Sequence, residues 1–199
     1  TNNHVIAEAT EIKVKLADGR ELDARVIGRD PSTDLAVIKV DGTDFPFVSF
    51  EERAQPRVGD WVIAVGNPFG LGGTATAGIV SALARPNLDQ QTAQYVDFLQ
   101  IDAAINTGNS GGPTFDIYGR VIGVNSAIIS QTGGSVGIGF AIPASIAKRV
   151  TDQLKENGRV ERGYVGLTLR TMSPDEWQLL GEPRDFEGAV IDNITEGAP

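Results

Sequence analysis

Asn106-Thr107-Gly108-Asn109-Ser110-Gly111-Gly112-Pro113 is the stretch on which the reading of this chain turns. A serine stands among glycines, in a run too glycine-rich for a helix or a regular strand. Glycine accepts positive φ and adds no side chain, so the run can turn sharply and bare its backbone N–H groups. Acyl transfer needs two such things, an exposed hydroxyl nucleophile and donors aimed at a developing oxyanion. The donors would be the N–H groups of Gly108 and Ser110. Taken alone, a G-x-S-x-G match fits a glycine-rich turn with a solvent-facing serine just as well. Chemistry requires a base and an acid elsewhere.

The chain has one histidine, His4. A serine hydroxyl needs a general base, and imidazole titrates near neutrality, so a catalytic Ser110 requires His4. Asp34 is the best of the 26 acidic residues for the third role. It follows the turn-like Asp30-Pro31-Ser32-Thr33 and opens the apolar run Leu35-Ala36-Val37-Ile38, where a carboxylate is shielded from water and can fix one imidazole tautomer. The order His4, Asp34, Ser110 separates the folds. An α/β-hydrolase runs serine, acid, histidine, and no histidine follows Ser110. The subtilisin order needs an aspartate before the histidine, and residues 1–3 supply none. Histidine, aspartate, serine is the order of chymotrypsin-like double β-barrels.

Five segments carry a closer resemblance: Thr1-Asn2-Asn3-His4-Val5-Ile6, Ser32 to Lys39, Gly66-Asn67-Pro68-Phe69-Gly70, Asp102 to Gly112, and Val136 to Pro143. Together they resemble HtrA (DegP/DegQ/DegS-like) serine proteases over nearly the whole chain. The fold expected is all-β: a chymotrypsin/trypsin-like double β-barrel protease domain over 1–158, lacking its leading strands, then a linker and the first part of a PDZ domain over 159–199. Family members carry a strand pair and a regulatory loop upstream of the histidine, so the chain is expected to be a fragment. Any signal or anchor would lie outside it.

The resemblance implies an ATP-independent serine endopeptidase of protein quality control, working in the periplasm or anchored to the inner membrane, with no cofactor and no metal. Its partners would be unfolded proteins, peptide C-termini at the PDZ domain, and copies of itself in trimers or multiples of trimers. A holdase chaperone with secondary protease activity, and a signalling protease cutting one regulator, are the alternatives. Substrate would add as a strand to Ser126-Ala127-Ile128-Ile129-Ser130. Ile105 and Ile128 would narrow the first specificity pocket to small aliphatic side chains, and Asn109 is counted with the substrate-binding residues. Asn109 also departs from trypsin-like enzymes, which carry aspartate there to pair with a freed N-terminus. An amide cannot form that ion pair, so activation is expected to follow loop rearrangement rather than cleavage. Val165, Gly166 and Leu167 match the carboxylate-binding loop of family PDZ domains.

Composition narrows the partners. The net charge of −9 and pI near 4.6 argue against nucleic acid, whose phosphates need clustered Lys and Arg. With no cysteine there are no disulfides or thiolate metal sites. No apolar run reaches the roughly 20 residues that span a bilayer.

The remaining pattern is mostly strand. Ile12, Val14 and Leu16 alternate, Asp18-Gly19 turns, and Leu22, Ala24 and Val26 resume, which is a hairpin signal. Further strands are expected over 35–40, over 61–65 (apolar on both faces, hence buried), and over 74–83, 121–129 and 137–142. Residues 66–73 are glycine-rich but lack the Gly-Lys-Ser/Thr of a phosphate loop. Residues 84–97 read as a long polar loop, which in the family senses activators and neighbouring subunits. Ile146, Val150 and Leu154 mark a helix over 145–157 that stops at Gly158. Ser173-Pro174-Asp175-Glu176 opens another with a capping box, and a strand is expected over 188–192.

Overall fold

The structure is a computed structural model of the chain. It describes residues 1–51, 55–70, 72–85, 93, 95–181, 183, 188–195 and 197, so most of the expected 84–97 loop lies outside the described residues. Two compact units divide between Val160 and Glu161.

The first unit begins with a single helical turn, α1 (Asn3–Ile6). Three antiparallel strands follow, β1 (Lys13–Lys15), β2 (Glu21–Asp30) and β3 (Leu35–Val40), paired in that order. The Asp18-Gly19 turn closes as expected: Leu16 N–H donates to the Arg20 carbonyl at 2.8 Å and Gly19 N–H to the Leu16 carbonyl at 3.0 Å.

Six strands then close a barrel: β4 (Trp61–Gly66), β5 (Thr74–Arg85), β6 (Phe98–Ile101), β7 (Pro113–Asp116), β8 (Val121–Ile128) and β9 (Gly139–Pro143). The order around the barrel is β4-β5-β6-β9-β8-β7, every pair antiparallel. Closure gives every barrel strand a neighbour on each side along at least part of its length. Val62, Ala64, Val80, Ile101, Ala103, Ile105 and Ile122 fill the interior. β4 corrects the expectation of burial on both faces. Val62 and Ala64 are buried, whereas Trp61 and Ile63 are 63% and 40% exposed on the outer wall. A barrel strand has one inward face, whatever residues stand on the other.

The helix α2 (Ala144–Asn157) runs directly out of β9. Its buried stripe is Ala144, Ala147, Val150 and Leu154, with Ile146 at the margin. That stripe packs with Leu35, Phe98, Val124, Phe140 and Ile142 into a second core, in which the Phe98 and Phe140 rings meet edge to face at 5.9 Å. Full burial of a Leu or Val side chain is worth about 1.5–3 kcal/mol, so this seam fastens helix, barrel wall and β3 together. Gly158 ends α2 at φ +73°, donating its N–H to the Leu154 carbonyl.

The second unit pairs β10 (Leu167–Thr171) with β11 (Ala189–Ile194), antiparallel, and carries α3 (Pro174–Leu179). The capping box forms as expected: Ser173 Oγ accepts from Glu176 N–H, and the Glu176 carboxylate accepts from Ser173 N–H. Among the described residues no helix is long and apolar enough to cross a membrane.

Candidate active site

Three chain segments meet at one cleft of about 650 Å³, lined among others by His4, Ile105, Asn106, Gly108, Ser110, Ser126 and Ile128. The turn Asp30–Thr33 leads into Asp34, the partner of His4. Thr33 N–H donates to the Asp30 carbonyl, Asp34 N–H to the Pro31 carbonyl, and Thr33 Oγ1 to Asp30 Oδ2 at 2.6 Å. This turn leaves Asp34 at φ +57°, a left-handed conformation that costs a non-glycine residue about 1–2 kcal/mol. Segment 2–4 offsets the cost by wrapping around Asp34. Asn2 Nδ2 and Asn3 N–H both donate to the Asp34 carbonyl at 2.9 Å, and His4 N–H donates to Asp34 Oδ1 at 2.9 Å.

The His4 ring then falls against the carboxylate, with Nδ1 2.7 Å from Asp34 Oδ2. Ser126 Oγ donates to the same Oδ2 at 3.1 Å. The Asp34 side chain is 8% exposed and His4 48%. A buried carboxylate taking the Nδ1–H fixes the tautomer that presents Nε2 as a base. The bond to Asp34 raises the His4 pKa above the ordinary histidine value; partial burial opposes the shift and the nearby negative charge adds to it.

The expected oxyanion donors, the N–H groups of Gly108 and Ser110, are fixed through their carbonyls. A trans peptide points its C=O and N–H in opposite directions, so anchoring one aims the other. The Thr107 carbonyl, on the Gly108 peptide, accepts from Phe69 N–H at 3.1 Å. The Asn109 carbonyl, on the Ser110 peptide, accepts from Gly112 N–H at 3.0 Å. Gly108 sits at φ +100°, and a Cβ there would lie 2.4 Å from the Asn67 carbonyl oxygen. Glycine is therefore required twice over, by backbone angle and by space. The Ser110 hydroxyl donates to the Ser126 carbonyl at 3.1 Å, within the same cleft as the imidazole.

The other expected residues fall into three groups. Ile105 and Ile128 line the cleft, Ile105 being 2% exposed. Ala127 and Ser130 line it too, while Ile129 is tied by its N–H to the Ile138 carbonyl, and Ser130 Oγ donates to the Gly134 carbonyl at 2.6 Å. Asn109 requires a correction: it is 2% exposed and its amide turns into the interior, where Nδ2 donates to the Ala104 carbonyl at 3.4 Å. The reason is the turn itself, which sends the Asn109 side chain inward while Ser110 faces the cleft. The neutral amide suits that position, since a carboxylate so buried would need a cation beside it. In the second unit Val165 and Leu167 are exposed, and Gly166, at φ +66°, accepts from Thr195 N–H at 2.8 Å.

Sequence reasoning missed Asn2, Thr33 and the side-chain role of Ser126. Ser126 was placed on the substrate strand, yet its hydroxyl is spent on Asp34, 92 positions away. Among the described residues no group of three or more His, Asp or Glu side chains could hold a metal ion.

The trypsin-like peptidase domain family matches residues 1–124. A probable periplasmic serine endoprotease, DegP-like, of Bartonella henselae is 54% identical over 99% of this chain and 39% of its own length. One of the same description from Brucella suis is 52% identical over 100% of this chain and 38% of its own length. The chain thus spans about two-fifths of these relatives. Among solved structures, the HtrA-type protease AlgW with tripeptide superposes with a TM-score of 0.91 at 45% identity, covering 100% of this chain and 65% of that one. The chain belongs to the HtrA family of trypsin-like peptidases.

Proposed function

We propose that the protein is a periplasmic serine endopeptidase that cleaves unfolded polypeptides after small aliphatic residues. The observation that carries the reading is the 2.7 Å contact between His4 Nδ1 and Asp34 Oδ2 beside a serine whose neighbouring peptide carbonyls are both anchored.

Each residue has a role in that chemistry. His4 Nε2 takes the Ser110 proton as Oγ attacks the scissile carbonyl, and later returns it to the leaving amine. Asp34 holds the ring and stabilises the imidazolium, itself steadied by Ser126 Oγ. The Gly108 and Ser110 N–H groups receive the oxyanion, worth roughly 3–4 kcal/mol per donor. Water then attacks the acyl-enzyme with His4 again as base.

Strand addition is supported by the free side of β8. β7 pairs only with Val121 to Val124, and Asn125 bonds to the serine turn, so the edge from Ser126 onward has no strand partner there among the described residues. The Ser126 carbonyl holds the Ser110 hydroxyl. An incoming strand that donates an N–H to that carbonyl releases the hydroxyl to the imidazole, so substrate binding itself readies the nucleophile. Among the described residues that line the cleft, none but His4 has an ionisable side chain, and Ile105 packs within 3.0 Å of where a Gly139 Cβ would stand. Both features favour a small, apolar side chain over Lys or Arg.

Residues 159–199 are read as a linker and part of a PDZ domain whose Val165-Gly166-Leu167 loop receives peptide C-termini, and assembly as trimers or multiples of trimers belongs to the same reading. The test is to incubate the full-length protein and a Ser110→Ala variant with an unfolded, disulfide-free protein and to sequence the ends produced. Cuts after Val or Ala that vanish in the variant are expected. Undiminished cleavage by the variant would end the serine mechanism. An uncut substrate kept from aggregating by both proteins would replace it with a holdase.

A further inference from the structure

β8 carries Val121, Ile122 and Val124 into the core and then, at 0% exposure, a carboxamide, Asn125. A buried amide is costly unless all its polar atoms are bonded. Here they are. Oδ1 accepts from Thr114 Oγ1, itself 0% exposed, and Nδ2 donates to the Val65 carbonyl at 3.0 Å and to the Asn109 carbonyl at 3.3 Å. The two backbone carbonyls decide the orientation. They can only accept, so the NH₂ end faces them, and the oxygen end takes the hydrogen of the Thr114 hydroxyl.

We propose that Asn125, braced by Thr114, is a positioning residue of the oxyanion hole; this rests on the protease reading of the cleft. The Asn109 carbonyl belongs to the peptide whose N–H is the Ser110 donor, so a second bond from inside the barrel holds that N–H toward the cleft. The bond to Val65 fixes the same strut to β4, a rigid barrel strand. The Asn125 backbone pairs with Gly111 N–H and the Gly112 carbonyl, both at 2.8 Å, and the next residue, Ser126, holds Asp34. One two-residue step of β8 therefore ties the acid and one oxyanion donor to a single frame. Barrel stability alone would be served by the bonds to Thr114 on β7 and Val65 on β4; the third bond reaches the serine turn itself.

The test compares Thr114→Val, Thr114→Ser and Asn125→Leu with wild type in the full-length protein, with rates normalised to the folded fraction by near-UV circular dichroism. The probes are a cleavable peptide and a peptidyl boronic acid, whose boron bonds to Ser110 Oγ and places an oxygen in the oxyanion hole. Thr114→Val is expected to lose about tenfold, and Asn125→Leu about a hundredfold, in kcat, with KM within twofold and boronate affinity falling in parallel. Thr114→Ser restores the hydroxyl and is expected within threefold of wild type. Should Asn125→Leu fail to fold, the Thr114 pair decides. The proposal is overturned if boronate affinity is unchanged, if KM rises while kcat holds, or if Thr114→Ser falls as far as Thr114→Val, which would mean packing alone. Wild-type protein that neither cleaves nor binds the boronate overturns the protease reading and this proposal with it.

Discussion

Replacing Gly108 with alanine puts the oxyanion geometry to a severe test. The new Cβ would lie 2.4 Å from the Asn67 carbonyl oxygen and 3.0 Å from Pro68 Cα, both backbone atoms that cannot swing aside. Real Cβ atoms keep at least about 3.0 Å, so the peptide must move by about 0.6 Å or rotate away from φ +100°. An N–H that stood about 2.9 Å from an oxyanion then stands near 3.5 Å, beyond a useful hydrogen bond. The loss of one such donor costs about 10²–10³ in kcat. Strain at the left-handed position adds roughly 1–3 kcal/mol of destabilisation, which a thermal melt would register separately. The assay is steady-state cleavage of a peptide, with peptide affinity measured independently in a Ser110→Ala background. The expected result is a fall in kcat of that size with affinity unchanged. A folded Gly108→Ala protein within threefold of wild-type kcat would refute the assignment of this N–H to the oxyanion.

Other expectations follow from the same geometry. Asp34→Asn removes the main cause of the raised His4 pKa, so the acid limb of kcat/KM, which reports neutral His4, moves to lower pH while the rate drops about 10³–10⁴-fold; a pH–rate profile checks both. Because that pKa is raised in the folded state, the His4–Asp34 pair stabilises the fold below the unfolded histidine pKa and loses the contribution as pH climbs through the folded one. Melts of wild type and Asp34→Asn should therefore differ more at pH 5.5 than at pH 8.5, about either side of histidine's range. Gly28→Ala drives a Cβ to 2.5 Å from the Gly158 carbonyl where β2 meets the end of α2, and should cost about 1–3 kcal/mol in denaturant unfolding. Ile105→Ala enlarges the cleft and should admit Leu and Phe at the cut site, visible by sequencing product ends.

Local pattern explains what the sequence made legible. Alternation through 12–26 with Asp18-Gly19 between specified β1 and β2, and a four-residue apolar spacing before Gly158 specified α2. The order His4, Asp34, Ser110 was enough to choose the fold, because each nucleophile architecture threads its triad in one order. What stayed hidden depends on distant partners. The turn of helix that carries His4 is too short to show a period, and its place comes from wrapping Asp34. Pro113–Asp116 follows Gly111-Gly112 and looks like the tail of a turn, yet it is a barrel strand because β4 and β8 flank it. Trp61 and Ile63 suggested burial, but barrel closure put them outside. Asn109 adjoins Ser110 and is expected among the substrate-binding residues, yet the turn sends its amide inward. Ser126 and Asn125 look like polar interruptions of a strand, and only the three-dimensional contacts show one bonded to Asp34 and the other to the Asn109 carbonyl.

The most direct test of the central claim, that Ser110 is a nucleophile activated by His4, is mass-spectrometric mapping of a covalent inhibitor. Full-length wild type and His4→Ala would each be treated with a peptidyl diphenyl phosphonate bearing a valine side chain, digested, and scanned for the adduct. One phosphonylated residue, Ser110, is expected in wild type and none in His4→Ala. An adduct on another residue, or equal labelling of Ser110 without the histidine, would contradict it.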